Sequence, residues 1–400
     1  MRTGTLPLSV LALALLATPA MASNAGPSSG SISGLVMGHA GFVMHDPFRT
    51  LFTRDPLFKY TLYPLPPDLS DSDKRKLDRV YYPRTGADLV NSYDIIVFHD
   101  ARFQHFTSRQ FHDLDHAFRE ARVTGMWVFL GSFLWDWVLD ASILRDVVPI
   151  NYHSNARYAG FQVRFRRDRD PVFLPFLEYG VEQVLGNAVA EMTASPGSTV
   201  WADMVPQNQP WMVSWRPGGG SPGMQWVLIQ WYLEGWWDER NNPYALDVAT
   251  NVLLYSLDRP MISDIQSRRE ARRLFTGLQT QKSIVLSMMD WAGAFGANVQ
   301  PLFQDLRAME DEIQTANEKY IEQDYPAAIE LLVSISQTVS LISEEAVRLK
   351  DEALFWVYVI EWLSVTGMGL LSGLVAWTLM IRRKFYRQVE ATRLRPLDLE

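Results

Sequence analysis

The stretch that decides the fold is YDIIVFHDARFQHFTSRQFHDLDHAFREARVTGMWVFLGSF, residues 93–133. It opens on an apolar run, Ile95, Ile96, Val97 and Phe98, closed by His99 and Asp100. A short apolar run without alternation is what a strand covered on both faces requires, and parallel strands are covered in that way. Thr107 and Gln110 follow at the spacing of a capping box, in which each side chain satisfies the other residue's backbone N–H, so a helix begins there. The helix is expected to run to about Thr124 and to be stopped by Gly125. MWVFLGSF then reads as the next buried strand. Strand, helix and strand in this order imply a right-handed crossover and a parallel sheet.

Four of the 7 histidines fall in this stretch: His99, His105, His112 and His116. At about 100° per residue, Phe111, Leu114, Phe118 and Ala121 share one helix face and form the expected core stripe. His112 and His116 fall well away from that stripe, which reads as a solvated face. An i, i+4 histidine pair can hold zinc only with a third ligand. The glutamate of an H-E-x-x-H motif is missing, because Asp113, Leu114 and Asp115 intervene. Neither a metal nor a cofactor is expected. His99 and Asp100 differ, since they end a parallel strand at the carboxyl edge where open α/β sheets bind ligands. His39 and His45 follow the first strand, SISGLVMGHA, and Ser132 follows the strand after the helix. A ligand site lined by His39, His99, Asp100 and Ser132 is the expectation.

Further along, STVWADM, PWMVSWRP and MQWVLIQWYLE read as strands, with PGGGSPG as the turn between the last two. NPYALDVATNVLLYSLDRP reads as a closing helix stopped by Pro260. Trp201, Trp211, Trp215, Trp226, Trp231, Trp236 and Trp237 crowd this region. Tryptophan fills cores, and in exported proteins it also stacks on sugars, so both roles stay open. LVNSYDIIVFHD, FTSRQFHDLDHAFREARVTGMWVFLGSF and NNPYALDVATNVLLYSL together resemble the class I glutamine amidotransferase-like domain, a flavodoxin-like α/β sandwich with a mostly parallel sheet. The resemblance covers about residues 32–260. It implies a nucleophilic cysteine on a strand-to-helix elbow with a later histidine as base. This chain has no cysteine. The elbow position reads FLGSFLWDW, where Ser132 is the hydroxyl, Leu130 and Leu134 replace the glycines of a G-x-S-x-G turn, and His153 is the last histidine of the chain.

The two ends add topology. MRTGTLPLSVLALALLATPAMAS has a basic start, a short apolar run and an A-x-A site, Ala20-Met21-Ala22, the pattern of a signal peptide over residues 1–22. Residues 23–31 read as a flexible leader. Residues 261–353 read as antiparallel helices, a helical stalk; DYPAAIELL resembles part of a tetratricopeptide hairpin, in one copy only. Residues 354–381 form one apolar segment of about 42 Å as a helix, enough for a single transmembrane helix. Trp356, Tyr358 and Trp362 form an aromatic belt beside Glu361, which sits either at the membrane interface or inside the membrane with a functional role. Gly369 and Gly373 stand in a GxxxG register, a helix-pairing motif. Arg382, Arg383, Lys384 and Arg387 follow at once, so the positive-inside rule puts residues 382–400 in the cytoplasm and the N-terminal domain outside.

Of the 37 basic residues, one lies in the signal peptide and six after the apolar segment; of the 45 acidic residues, four lie at or after Glu361. The exported part therefore carries 30 against 41, a net charge of −11, which does not suit nucleic acid. The expected protein is a single-pass membrane protein of the cell envelope with a non-catalytic binding, sensing or scaffold domain. Two alternatives stand beside it. One is a hydrolase of an extracytoplasmic amide, ester or glycan that uses Ser132, His99 and His153. The other is a subunit of a membrane complex, or a homodimer, joined through the transmembrane helix.

Overall fold

The computed structural model describes residues 30–38, 47–66, 69–129, 137–166, 171–230 and 235–393. The expected signal peptide, most of the leader, His39, His45, Ser132 and Trp231 lie outside the described residues. The chain divides into two compact units, Met1–Ile262 and Ser263–Glu400.

The first unit runs β1 (Ile32–Gly38), α1 (Pro47–Arg54), β2 (Phe58–Pro64), α2 (Asp71–Tyr81), α3 (Gly86–Ser92), β3 (Ile95–His99), α4 (Ser108–Glu120), β4 (Thr124–Phe129) and α5 (Trp137–Asp140). It continues through β5 (Ile150–Phe165), α6 (Leu174–Leu177), β6 (Leu185–Ala194), β7 (Thr199–Val205), β8 (Gln209–Trp215), β9 (Gln225–Ile229) and α7 (Ala245–Ser256). All nine strands form one sheet in the order β2-β1-β3-β4-β9-β8-β7-β5-β6. The first five are mutually parallel. The other four extend the sheet antiparallel. The fold is thus mixed α/β on a large sheet whose larger part is parallel. The hairpin of β5 and β6 was not foreseen.

Residues paired across neighbouring strands share a face of the sheet. Gly34, Ile95 and Thr124 are in register on one face. There α1 lies against β1, since a Cβ on Gly34 would come within 2.4 Å of the Phe52 ring. On the same face Trp226 donates its indole N–H to Ser256 Oγ of α7 at 2.7 Å. The opposite face carries Phe98 stacked on Trp127 with ring centroids 4.2 Å apart. Phe118 of α4 meets Phe98 edge-on at 6.1 Å, and Phe103 stacks on Trp127 at 5.9 Å.

The capping box of α4 forms as the sequence predicts, with Thr107 Oγ1 accepting from the Gln110 N–H and Gln110 Oε1 from the Thr107 N–H. His112 and His116 are exposed, and Leu114, Ala117 and Phe118 are buried. Two expectations are corrected. The stripe takes Ala117, while Phe111 and Ala121 are only half-buried. The helix stops at Glu120, ahead of Arg122 in left-handed backbone at φ 60°, and Gly125 is not its cap but part of β4. Gly125 is needed there because a Cβ would lie 1.9 Å from Gln225 Oε1.

Most of the described tryptophans between β7 and α7 are core. Trp201, Trp211, Trp226, Trp236 and Trp237 are all buried. Trp201 donates to Ser214 Oγ at 2.7 Å, Trp236 to the Val181 carbonyl at 2.8 Å, and half-buried Trp215 to the Val147 carbonyl at 2.7 Å. Strands β7, β8 and β9 are buried on both faces through their middle residues.

The second unit consists of α8 (Ile265–Ala294), α9 (Gln300–Ile321) and α10 (Tyr325–Arg393). On α10 the buried residues Tyr325, Ala328, Leu332, Ile335, Val339, Ile342 and Ala346 alternate in steps of three and four. Leu302, Leu306, Met309, Ala316 and Tyr320 keep the same phase on α9. A spacing of 3.5 residues is that of a coiled-coil seam. Phe275 of α8 packs on Tyr320 of α9 at 5.5 Å, and Arg268 lies 5.6 Å from the same ring. Beyond Ala353 the seam ends but the helix does not. Its 69 residues form one element of about 100 Å, and its apolar stretch is long enough to cross a membrane. None of that apolar window is buried within the protein.

Candidate functional site

Numbered along the chain, the parallel strands lie in the order 2-1-3-4-5, with β9 as the fifth. The chain leaves β1 toward β2 on one side, while β3 begins on the other. At such a switch point the two outgoing connections diverge and leave a crevice at the carboxyl ends of the strands. The residues at this point are Gly38, which ends β1, His99, which ends β3, and Asp100, which follows it.

Gly38, His99 and Val128 stand in one row across three strands. Gly38 has φ 137°, and a Cβ there would lie 1.9 Å from the His99 carbonyl oxygen. Asp100 turns the chain out of the sheet in left-handed backbone at φ 47°, while its N–H still donates to the Val128 carbonyl at 2.9 Å. Aspartate tolerates that conformation better than most residues. His99 shares the α1 and α7 face with Ile95 and Val97, is 1% exposed, and is engaged within the protein. Asp100 is partly exposed. The arrangement is a close-packed backbone ledge carrying a partly exposed aspartate, one of whose carboxylate oxygens is buried.

The predicted site is therefore described in part. His99 and Asp100 are adjacent at the switch point, whereas His39 and Ser132 lie outside the described residues. His153 belongs to β5, which pairs with β6 at Met192 and is five places from β3 in the sheet. Sheet order thus does not make His153 a neighbour of His99. Among the described residues no group of three His, Asp or Glu side chains is placed to hold a metal ion.

A second polar cluster near the same edge was not foreseen. Tyr63 is the penultimate residue of β2 and donates its hydroxyl to Asp78 Oδ1 of α2. Lys74 Nζ donates to Asp78 Oδ2 at 2.6 Å and to Gln110 Oε1 at 3.3 Å. Gln110 Nε2 donates to Asp78 Oδ1 at 3.1 Å. Gln110 thus caps α4 and clamps α2 as well. Burial, then the Asp78 carboxylate, pushes the Tyr63 phenol far above its ordinary range. Burial, then Asp113, does the same to Tyr82, whose ring lies 5.9 Å from that of Tyr63. The signal in sequence was the capping box alone. Lys74 and Asp78 sit in DSDKRKLDR, which looks like a solvated charged helix.

The apolar part of α10 is the other candidate. Trp356, Tyr358 and Trp362 are exposed before its most apolar stretch, and Phe385 and Tyr386 after it. From Trp362 to Phe385 the helix rises about 34 Å, close to the thickness of a bilayer's hydrocarbon core. Glu361 is exposed among the first group of aromatics, and Gly369 and Gly373 are exposed further along.

No family model matches the chain, and no curated protein matches it. Among solved structures it is similar to the mmIFT52 N-terminal domain, at 10% identity, over 57% of this chain and 98% of that chain. The TM-score of that likeness is 0.32, which carries no argument about fold or function.

Proposed function

We propose that this chain is a single-pass membrane protein whose N-terminal unit is a non-catalytic glutamine amidotransferase-like domain of flavodoxin-like type. That unit works outside the cytoplasm as a binding, sensing or scaffold module. The observation that carries the reading is α10, one unbroken helix that is a packed coiled-coil element in its first part and an uncovered apolar rod in its second. A soluble role leaves that rod in water, where an apolar surface of this extent is unfavourable. The 2-1-3-4-5 strand order supports the flavodoxin-like assignment. The lack of any cysteine supports a non-catalytic role, since the family's nucleophile has no counterpart here. The belts of aromatics and the cations at 382–387 support an orientation with the C-terminus in the cytoplasm.

The test uses the full chain in its host membrane. After alkaline extraction the protein should remain with the membrane, while a chain lacking residues 354–400 should be released. External protease should digest the N-terminal unit and leave the C-terminal tail protected. Amide and ester hydrolysis should stay at background and be unchanged in Ser132→Ala and His153→Ala. Turnover that either substitution abolishes, with unfolding unchanged, contradicts the non-catalytic reading.

A further inference from the structure

Gly373, Ala376, Trp377, Met380, Ile381 and Lys384 line an open groove along one face of α10. Gly373 supplies the depression, since it has no side chain to stand beside those of Trp377 and Met380. The groove is apolar along its length and ends at a cation. Viewed down the helix at about 100° per residue, Arg383 and Arg387 lie within about 100° of Lys384, and Arg382 points to the far side. All four cations are exposed, and among the described residues none has an ion-pair partner.

We infer that this face binds an anionic phospholipid, with an acyl chain along the groove from Gly373 to Ile381 and the headgroup phosphate on Lys384, Arg383 and Arg387. The inference rests on the reading of α10 as membrane-spanning. Charge complementarity decides the occupant. A second parallel copy of α10 seated on this face would bring Lys384 against its own counterpart, because a two-fold interface pairs each residue with itself near the axis. Like charges in that position repel, and an anionic headgroup is attracted. A small residue at depth, an indole alongside and cations at the rim are the shape and the charge of a lipid, tail first.

The experiment reconstitutes the full chain into nanodiscs of phosphatidylcholine, with or without a minor share of phosphatidylglycerol. Native mass spectrometry then counts the lipids that stay bound on release. The wild type should retain phosphatidylglycerol in preference to phosphatidylcholine. Each cation near the surface is worth about fivefold in attraction to anionic lipid. Lys384→Gln should therefore lower the preference about fivefold, and Arg383→Gln with Arg387→Gln should lower it further. Gly373→Leu should fill the groove and reduce retention of either lipid, while Arg382→Gln should change little. Equal retention of both lipids by the wild type overturns the inference, as does an undiminished preference in the triple variant. Protein recovered as a dimer linked through Gly373 likewise overturns it. A chain that fails to insert, and washes off in alkali, overturns the membrane reading and this inference together. A chain that inserts without lipid preference overturns this inference alone.

Discussion

Gly38 and His99 are cross-strand neighbours held so close that position 38 has no room for a side chain, a Cβ there falling 1.9 Å from the His99 carbonyl oxygen. Gly38→Ala must part β1 from β3 at the switch point and also place alanine at φ 137°. A loss of about 3 kcal/mol is expected, which in a domain of this size is a drop in Tm on the order of 10 °C. Gly197→Ala is the control, since Gly197 also has positive φ (86°) but open space around it. It should cost about 1 kcal/mol. Equal losses at the two positions in a thermal melt refute the close-approach argument.

Gly125 and Gln225 are a second such pair, and they are coupled. Gln225 is fully buried; it accepts from Trp127 Nε1 at 3.2 Å and donates to the Val123 and Gly223 carbonyls at 3.3 Å. Gln225→Ala leaves the indole N–H without its acceptor, a loss of about 1–3 kcal/mol. Gly125→Ala collides with the glutamine side chain and should lose a similar amount. In the double variant the collision is gone, so the combined loss in urea denaturation should fall short of the sum by about 1 kcal/mol or more. Strict additivity contradicts the contact.

Lys74 and Asp78 make a partly buried ion pair at 2.6 Å, with the lysine side chain 9% and the carboxylate 25% exposed. Asp78→Ala strands the ammonium group and removes the acceptor of the Tyr63 hydroxyl. A loss of about 3 kcal/mol is expected. Replacing both partners, Lys74→Met with Asp78→Leu, should cost less than Asp78→Ala alone, because no charge is then left buried. Chemical denaturation of the two variants decides between the outcomes.

The same cluster predicts an alkaline limit. The Tyr63 and Tyr82 phenols have folded-state pKa values raised above the ordinary 10.0. Above that pH the unfolded chain releases these protons while the folded chain keeps them, so the unfolded state gains as pH rises. Their contribution is whole below pH 10 and declines above it. Stability measured from pH 8 upward should bend down past 10, and the bend should be shallower in Tyr63→Phe and Tyr82→Phe. An unchanged slope in both variants refutes it.

In the second unit, Ile335 is fully buried in the middle of the α10 seam. Ile335→Ala should cost about 2–5 kcal/mol there. Hydrogen exchange on the full chain should show faster opening across α8, α9 and the first part of α10, with the sheet unaffected. Acceleration spread evenly over both units argues against their independence.

What could be read from sequence was what depends on neighbours in the chain. Ile95–Phe98 announced a buried strand because no polar residue interrupts it, and Thr107 and Gln110 announced a cap because both partners lie within one turn. The apolar end of α10 could be found by hydropathy alone. The rest depends on long-range partners. Gly125 looks like a helix stop until Gln225, a hundred positions on, is seen beside it. Lys74 and Asp78 look solvated until α4 covers them with Gln110. β5 is 16 residues long, bends through register shifts, and carries polar residues among its apolar ones, so no alternation marks it. At the candidate site, His99 was found because strand ends are local. The Gly38 ledge beneath it was not, because glycine in a strand gives no sign of what presses against it.

The seam that ends at Ala353 also fixes a direction. Taking Ala353 as 0° and turning about 100° per residue, Gly369 lies at about 160°, Gly373 at about 200° and Lys384 at about 220°. The groove thus opens on the side of α10 turned away from its partners in the bundle. Because no break intervenes, the azimuth of every residue beyond Ala353 is set by the packing of Leu332, Ile335 and Val339. One residue inserted after Ala353 swings the groove by about 100°, whereas seven return it to within about 20°. Length and rotation are therefore not independent in this helix, and the bundle acts as the index mark from which its apolar segment takes its bearing.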